Sequence, residues 1–197
     1  MSERINYPEV YIAGPLFNPE ENFHNDTLTT MFRNVGYSVF NPHVDGLQYQ
    51  DYCDLSEEQA GKKLHDYDYV RVINSRIFVA NLNGLQVDDG TASESAFAFA
   101  NRLALTEIQT RITDYLKRNK LNNDTLNIYN QFINSDYFRP RPQLILGYLS
   151  DLRWITPKFR RNPVVSENVD IIFDNREDIV KYCLENCPPE NKNLILE

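Results

Sequence analysis

Short apolar runs that alternate with longer stretches of helical spacing constrain the fold of this chain more than any other feature. The run at 10–13 ends at Gly14-Pro15, and apolar residues then recur at helical spacing as far as Gly36. New apolar runs follow at 37–40 and 76–81, each succeeded along the chain by a further helical stretch. Strands that alternate with helices predict an α/β fold in which helices flank a mostly parallel central sheet, as in flavodoxin- or Rossmann-like proteins.

The predicted helices begin with recognisable start signals. Asn18 is placed to cap the first helix, with Pro19 at its first position and Glu21 where a capping box has its acid. The capping sequence at 56–59 predicts a second helix that continues to about residue 74. Spacing and caps predict the remaining elements: helices at about 91–118 (continuous or restarted), 124–135 and 176–186, and strands at 143–147 and 169–173.

Length and charge restrict the class of protein and the kind of partner. The 197 residues fit one domain, and 42% hydrophobic with 24% charged residues is typical of a soluble globular chain. The net charge of −8 argues against nucleic acid or an anionic membrane as partner, because either requires a basic footprint. No stretch is long and apolar enough to span a bilayer, and the first residues lack a signal peptide's apolar region. We therefore expect a cytoplasmic protein with a small-molecule ligand.

Acidic residues crowd the start of the sequence VDDGTASESAFAFA at 87–100. Asp88, Asp89 and Glu94 precede or enter an Ala- and Phe-rich run typical of a packed helix. One interpretation is structural: Thr91 caps the helix, and Glu94, three residues later, completes a capping box. The other is catalytic, because a helix N-terminus favours an ionised carboxylate, which is the form that a carboxylate nucleophile needs. The loop before the helix follows a strand, at the edge where open α/β sheets bind ligands.

Four parts of the chain carry a resemblance to a known family. The segment YIAGPLF at 11–17, followed by an acidic helix start, resembles the opening of the nucleoside 2-deoxyribosyltransferases. The segment DDGTASE at 88–94 resembles their signature around the catalytic glutamate, in which an Asp precedes the Glu by six residues. Asp68 lies twenty residues before Asp88, which is similar to the family's spacing for an acid near the base. The segment NPVV at 162–165 resembles a late family segment whose Asn enters the sugar site of a neighbouring subunit.

The resemblance implies an enzyme that exchanges the base of a 2′-deoxynucleoside. Glu94 would attack the anomeric carbon and displace the base, and a second base would then attack the covalent deoxyribosyl-enzyme, as in the double displacement of retaining glycosidases. Asp68 and Asp88 would be the candidates for contact with the base and for delivery of its proton, with Asp88 assigned to a hydrogen bond with the sugar or base and Asp68 to the base. The implied substrate-binding residues are Tyr11, Gly14, Pro15, Phe17, Gly90 and Asn162.

The resemblance also implies a place in nucleotide salvage and a homo-oligomer whose sites are completed across subunits by Asn162. Transfer of a sugar between bases requires no metal and no organic cofactor. The cysteines fit this expectation, because Cys183 and Cys187, one helical turn apart, lack further residues to complete a zinc site. Relative to the compact family members, the single domain, residues 1–197, carries a helical insertion at about 105–142.

Three aromatic and acidic positions have two interpretations each. Tyr11, expected at the end of the first strand, either packs there or takes part in catalysis. Phe17 either joins the core or stacks on the base, and Asp89 either caps a turn or belongs to the site.

The reaction itself has two alternatives. A nucleoside or nucleotide N-glycosidase would use the same glutamate with water as the acceptor, and Lys158, Arg160 and Arg161 would then be available for a 5′-phosphate. A non-catalytic nucleotide-binding α/β domain would use Glu94 only as part of a helix cap. Replacing the glutamate separates these cases, since a cap residue contributes about 1 kcal/mol of stability and no turnover.

Overall fold

The computed structural model describes residues 7–84, 87–119, 143–150 and 167–190, with a few further positions between 124 and 131. A short 3₁₀ turn at Tyr49–Asp51 precedes the third helix. The strands and helices, in chain order, are β1 (Val10–Ala13), α1 (Pro19–Asn34), β2 (Val39–Phe40), α2 (Pro42–Asp45), α3 (Glu57–Asn74), β3 (Ile77–Asn81), α4 (Asp89–Arg118), β4 (Leu144–Tyr148), β5 (Ile171–Phe173) and α5 (Arg176–Asn186).

The strands of the described residues form one sheet in the order β2-β1-β3-β4-β5, with every pair parallel. This arrangement confirms the predicted α/β class. The strand order reverses between β1 and β3, since β1 leads outward to β2 while β3 leads to β4 and β5 on the other side. Sheets of this kind bind ligands beside the carboxyl ends of the strands at the reversal point. The neighbouring carboxyl ends of β1 and β3 therefore mark the place to look for a site.

Successive side chains of each strand point to opposite faces of the sheet, and both faces are covered. Val10 and Ile12 pack with Leu28 and Phe32 of α1, in a core that α5 completes. On the other face, Tyr11 belongs to a second core that α3 and α4 cover. The strands are apolar on both faces because parallel sheets of this kind are buried on both sides.

The structure corrects several predicted boundaries. The fourth helix begins at Asp89, not near Thr91, and continues without a break for 30 residues to Arg118. Although it is long, neither it nor any other helix among the described residues is apolar enough to cross a membrane. The second strand is shorter than predicted, because 37–38 lie outside it, and the last strand begins at Ile171. Most of the predicted helix at 124–135, and much of the proposed insertion, lie outside the described residues.

Gly147, the fourth of the five residues of β4, supports a prediction about packing. A β-carbon at this position would lie 2.9 Å from Cγ1 of Ile172 and 3.0 Å from Cδ1 of Leu82. We expect Gly147→Val to lower the free energy of unfolding by about 1–3 kcal/mol, as overpacking of a core does. Urea unfolding monitored by circular dichroism measures the change.

Gly61→Ala is the matched control for this substitution. The α3 position of Gly61 has no atom within 4 Å of an added β-carbon, so alanine should raise stability by up to about 1 kcal/mol through helix propensity. Equal stability of Gly147→Val and the unsubstituted protein would contradict the packing described for β4.

Candidate active site

Glu94 and Tyr11 meet across the interface between α4 and the sheet. The Tyr11 hydroxyl donates a hydrogen bond of 2.5 Å to Oε1 of Glu94, although the residues are 83 positions apart in the chain. Tyr11 is fully buried, and its ring stacks between those of Phe40 and Phe78, with centroids at 5.4 Å and 5.7 Å. These rings fix the direction of the phenol, so the hydroxyl is a preorganised donor for the carboxylate.

The start of α4 explains why Glu94 is available for this contact. The N-cap is Asp88, whose Oδ2 accepts hydrogen bonds from the backbone N–H of Thr91 at 2.8 Å and from its hydroxyl at 3.1 Å. The predicted capping box of Thr91 and Glu94 is therefore wrong, because the helix starts one turn earlier. Glu94 lies in the second turn, where its carboxyl group is not needed as a cap.

The charge state of Glu94 is set by its surroundings. Burial raises the pKa of Glu94 to about 8, and the hydrogen bond from Tyr11 acts in the opposite direction. The charges of Asp68 and Asp88 raise the pKa of Glu94 further. Burial, together with the charges of Glu94 and Asp68, also raises the pKa of Tyr11 well above its usual value. The phenol therefore keeps its proton and remains a donor.

Asp68 approaches the same place from α3. Its side chain is half-buried, and burial raises the pKa of Asp68 to about 6, against the opposing effect of Arg71 and His65. The site thus contains two carboxyl groups that exchange protons near neutral pH. Such pairs are found where a reaction needs both a carboxylate and a proton donor.

The remaining predicted site residues lie at or near the carboxyl edge of the sheet. Gly14 and Pro15 directly follow β1, and Pro15 is buried. Gly90 lies in the first turn of α4, where an added β-carbon would be 3.0 Å from Oδ2 of Asp88. The interpretation of Phe17 as a core residue is wrong, because its side chain is 85% exposed and projects from the loop before α1.

Tyr11 is placed differently from the prediction, within β1 and not at its end. Asp89 is the first residue of α4 and is exposed, while the neighbouring Asp88 provides the cap. Asn162 and the basic residues at 158, 160 and 161 lie outside the described residues, so their proposed roles stay predictions.

Arg71 is a site residue that the sequence analysis missed. Its guanidinium carbon lies 3.4 Å from the centre of the Tyr67 ring and 4.9 Å from that of Phe40. The position of Arg71, one helical turn after Asp68 on α3, was the available signal, since residues three apart share a helix face. The positive charge of Arg71 favours the ionised form of Asp68 and acts to lower its pKa.

The site can therefore supply an oriented, buried carboxyl group with a pKa of about 8, a second carboxyl group with a pKa of about 6 and a fixed phenolic donor. Among the described residues, no group of three or more His, Cys, Asp or Glu side chains is arranged to hold a metal ion. The chemistry to be considered for these residues is nucleophilic attack by a carboxylate combined with proton transfer.

Comparison with known proteins identifies the family. Residues 10–140 match the family model described as nucleoside 2-deoxyribosyltransferase, and the chain belongs to this family. The match spans β1, α3 and the start of α4, and hence Tyr11, Asp68, Asp88 and Glu94. No curated protein matches the chain significantly.

Two solved structures have the same fold. A conserved protein of Enterococcus faecalis is 15% identical, with a TM-score of 0.56, covering 89% of this chain and 96% of that one. The 2-deoxyribosyltransferase of Bacillus psychrosaccharolyticus is 14% identical, with a TM-score of 0.54, covering 88% of this chain and 90% of that one.

The raised pKa of Glu94 gives a prediction for stability. Between the ordinary pKa of 4.5 and the folded-state value of about 8, the folded protein binds a proton that the unfolded chain releases. Stability therefore falls as pH rises through this window. Glu94→Gln stays neutral and still offers an oxygen to Tyr11, so its stability relative to the unsubstituted protein should increase from pH 5 to pH 8.5.

Urea unfolding at both pH values measures this difference, with Glu107→Gln as the control. Glu107 lies on an exposed side of the same helix and pairs with Arg111 at 2.7 Å, so its replacement should lower stability slightly at both pH values. A pH-independent effect of Glu94→Gln would contradict the buried environment assigned to Glu94.

Proposed function

We propose that this protein transfers 2-deoxyribose between nucleobases by a retaining double displacement in which Glu94 is the nucleophile. The observation that carries the proposal is the hydrogen bond from the buried Tyr11 hydroxyl to Oε1 of Glu94, at the strand-order reversal of the sheet. Membership of the 2-deoxyribosyltransferase family supports the same reaction. The substrates are a 2′-deoxynucleoside and a free nucleobase.

In the first half-reaction, a carboxylate oxygen of Glu94 attacks the anomeric carbon of the sugar. A bond forms between this oxygen and the carbon, the N-glycosidic bond breaks, and its electron pair leaves with the base. Tyr11 holds Oε1, and within the described residues Oε2 of Glu94 accepts no hydrogen bond. Oε2 is therefore the oxygen that we assign to the attack. The product is a covalent ester between deoxyribose and Glu94.

The departing base needs a proton, because an anionic base is a poor leaving group at neutral pH. We assign this proton to Asp68, whose raised pKa keeps a protonated fraction near neutrality. When Glu94 and Asp68 share one proton, the proton lies mainly on Glu94, because the pKa of Glu94 is about 8 and that of Asp68 about 6. The form that reacts is the one in which this proton has passed to Asp68, so that Glu94 attacks as the carboxylate and Asp68 gives the proton to the base. In the second half-reaction the incoming base returns the proton and attacks the same carbon, and the β configuration is restored. Asp88 is proposed to bind the sugar while it caps α4.

An N-glycosidase would follow the same first half-reaction and then use water. The two mechanisms differ in whether a base or water attacks the deoxyribosyl-enzyme. Analysis of the reaction products distinguishes them. The cytoplasmic location, the role in nucleotide salvage and a homo-oligomer completed by Asn162 belong to the same proposal. Neither mechanism uses a metal or an organic cofactor.

A chromatographic assay tests the reaction. The protein is incubated with 2′-deoxyinosine and adenine, beside Glu94→Ala and Glu94→Gln, and a pyrimidine pair is run in parallel. We expect deoxyadenosine with the unsubstituted protein and a loss of turnover of at least about 1,000-fold in both variants, since the covalent path is removed. Hypoxanthine without deoxyadenosine would favour the N-glycosidase, and activity in Glu94→Ala would contradict the role of Glu94.

The pH dependence of kcat/KM tests the shared proton. Below pH 6 both carboxyl groups are protonated and no nucleophile is present, while above pH 8 both are ionised and the leaving base lacks its proton. We expect a bell-shaped profile with a maximum near pH 7. Because the two carboxyl groups interact, the apparent pKa values of its acidic and basic limbs describe Glu94 and Asp68 together and not either residue alone. Asp68→Asn should lower kcat and remove one limb. An unchanged bell in Asp68→Asn would exclude Asp68 as the proton donor.

A further inference from the structure

Three asparagines connect the loops at the carboxyl edge of the sheet. Asn25 of α1 donates a hydrogen bond to the carbonyl oxygen of Pro15 at 3.1 Å and accepts one from Nδ2 of Asn81 at 2.8 Å. Oδ1 of Asn81, at the end of β3, accepts from Nδ2 of Asn83 at 2.7 Å. Oδ1 of Asn83 in turn accepts from the backbone N–H of Ser150 at 2.9 Å. We call Asn25, Asn81 and Asn83 the asparagine relay; it ties together the chain after β1, β3 and β4.

The relay is buried and fully hydrogen-bonded at its centre. Asn25 is 0% exposed and Asn81 is 1% exposed, and both the oxygen and the nitrogen of each amide have a protein partner. Burying an amide lowers the stability of the folded protein unless its polar groups are hydrogen-bonded. Arrangements of the loops that break these bonds are therefore disfavoured, and the relay stabilises one arrangement.

Gly14 shows how closely the first loop follows the relay. A β-carbon at Gly14 would lie 2.5 Å from Oδ1 of Asn25, so no larger residue fits without moving the amide. The segment Gly14-Pro15 therefore contacts Asn25 directly. This segment begins three residues after Tyr11, whose hydroxyl donates a hydrogen bond to Glu94.

The relay lies on the opposite face of the sheet from Glu94. Side chains alternate along β3, and Val79, two residues before Asn81, packs in the core that α1 covers. Tyr11 and Phe78 pack in the other core, beneath α4. The relay therefore reaches the site through the backbone of the loops and not through contact with its carboxyl groups.

We propose that Asn25, Asn81 and Asn83 are positioning residues that set the substrate-binding geometry by fixing the loops after β1, β3 and β4 relative to one another. This inference rests on the proposed function only in taking the carboxyl edge beside Glu94 as the place where the nucleoside binds. A misplacement of about 1 Å in such loops can lower catalysis by about 100-fold. The shape of the pH profile should be unaffected, because the relay carries no charge.

Gln143 provides a matched control. Its side chain is also buried, at 4% exposure, and its amide nitrogen also bridges elements, with bonds of 2.6 Å to the carbonyl oxygen of Val72 and 2.9 Å to Oγ of Ser75. Gln143 precedes β4, so these bonds lie at the amino edge of the sheet, away from the proposed site. Asn81→Leu and Gln143→Leu each remove one buried amide, at opposite edges of the sheet. Among the described residues Oε1 of Gln143 has no hydrogen-bond partner, whereas the oxygen and the nitrogen of Asn81 are both bonded, so the comparison concerns activity and not the size of the stability loss.

The experiment compares Asn81→Leu, Gln143→Leu and Asn83→Ala. Asn83 is partly exposed, so Asn83→Ala is the least disruptive of the three and leaves the buried amides of Asn25 and Asn81 in place. Unfolding midpoints, kcat and KM are measured at a temperature where all three proteins are folded. We expect Asn81→Leu to lose stability, and kcat/KM to fall by about 10- to 100-fold in Asn81→Leu while it stays within about twofold in Gln143→Leu. Asn83→Ala should raise KM several-fold with little change in kcat, and every active variant should keep the pH profile.

Binding separates this inference from the proposed function. Calorimetric titration of 2′-deoxyinosine into Glu94→Gln, with and without Asn81→Leu or Asn83→Ala, reports binding without turnover. Weaker binding in the double variants would support the relay even if the unsubstituted protein exchanged no bases, a result that would overturn only the proposed function. Normal exchange and binding in Asn83→Ala, or equal losses in Asn81→Leu and Gln143→Leu, would overturn the relay alone. No binding to Glu94→Gln would overturn both.

Discussion

The hydrogen bond between the Tyr11 phenol and the Glu94 carboxyl group is the interaction on which the account of this protein depends. It joins the second residue of β1 to the second turn of α4, and the stacked rings of Phe40 and Phe78 hold the phenol ring in place. A carboxyl group in this position loses much of its hydration. The resulting pKa of about 8 is the property that distinguishes Glu94 from a surface acid. The sheet, the stacked rings and the early start of α4 all serve to bring this one group to the edge where ligands bind.

A cluster of carboxyl groups of this kind reduces the stability of the protein. Glu94, Asp68 and Asp88 are close enough for their charges to interact, and an arrangement selected for stability alone would separate them. The opposing contributions come from Arg71, whose charge acts to lower the pKa of Asp68, and from the two buried cores on either side of the sheet. The asparagine relay connects the loops after β1, β3 and β4 by hydrogen bonds. It lies on the face of the sheet opposite the carboxyl groups of Glu94, Asp68 and Asp88. Charge and position are thus controlled by separate sets of residues.

Most of the fold could be predicted from the sequence, because its signals are local. The apolar run at 10–13 and the cap at Asn18 each specify their element within a few residues, and both lie where predicted. The start of α4 was mistaken because Asp88 and Thr91 are both competent caps, and the path of the chain decides between them. Glu94 was recognised from its motif, yet its pairing with Tyr11 depends on how α4 crosses β1, across 83 residues. The bond between Asn25 and Asn81, 56 residues apart, has no signature in the sequence for the same reason.

The central claim is that Glu94 becomes covalently bound to the sugar, and trapping that species tests it most directly. The protein is mixed with a 2′-deoxynucleoside in the absence of an acceptor base, quenched in acid within the first turnover and analysed by intact-protein and peptide mass spectrometry. The account predicts a mass increase of one deoxyribosyl group on the peptide that contains Glu94, absent in Glu94→Gln and reversed when a base is added before the quench. Release of the base with no adduct, or an adduct on Asp68 or Asp88 in place of Glu94, would contradict it.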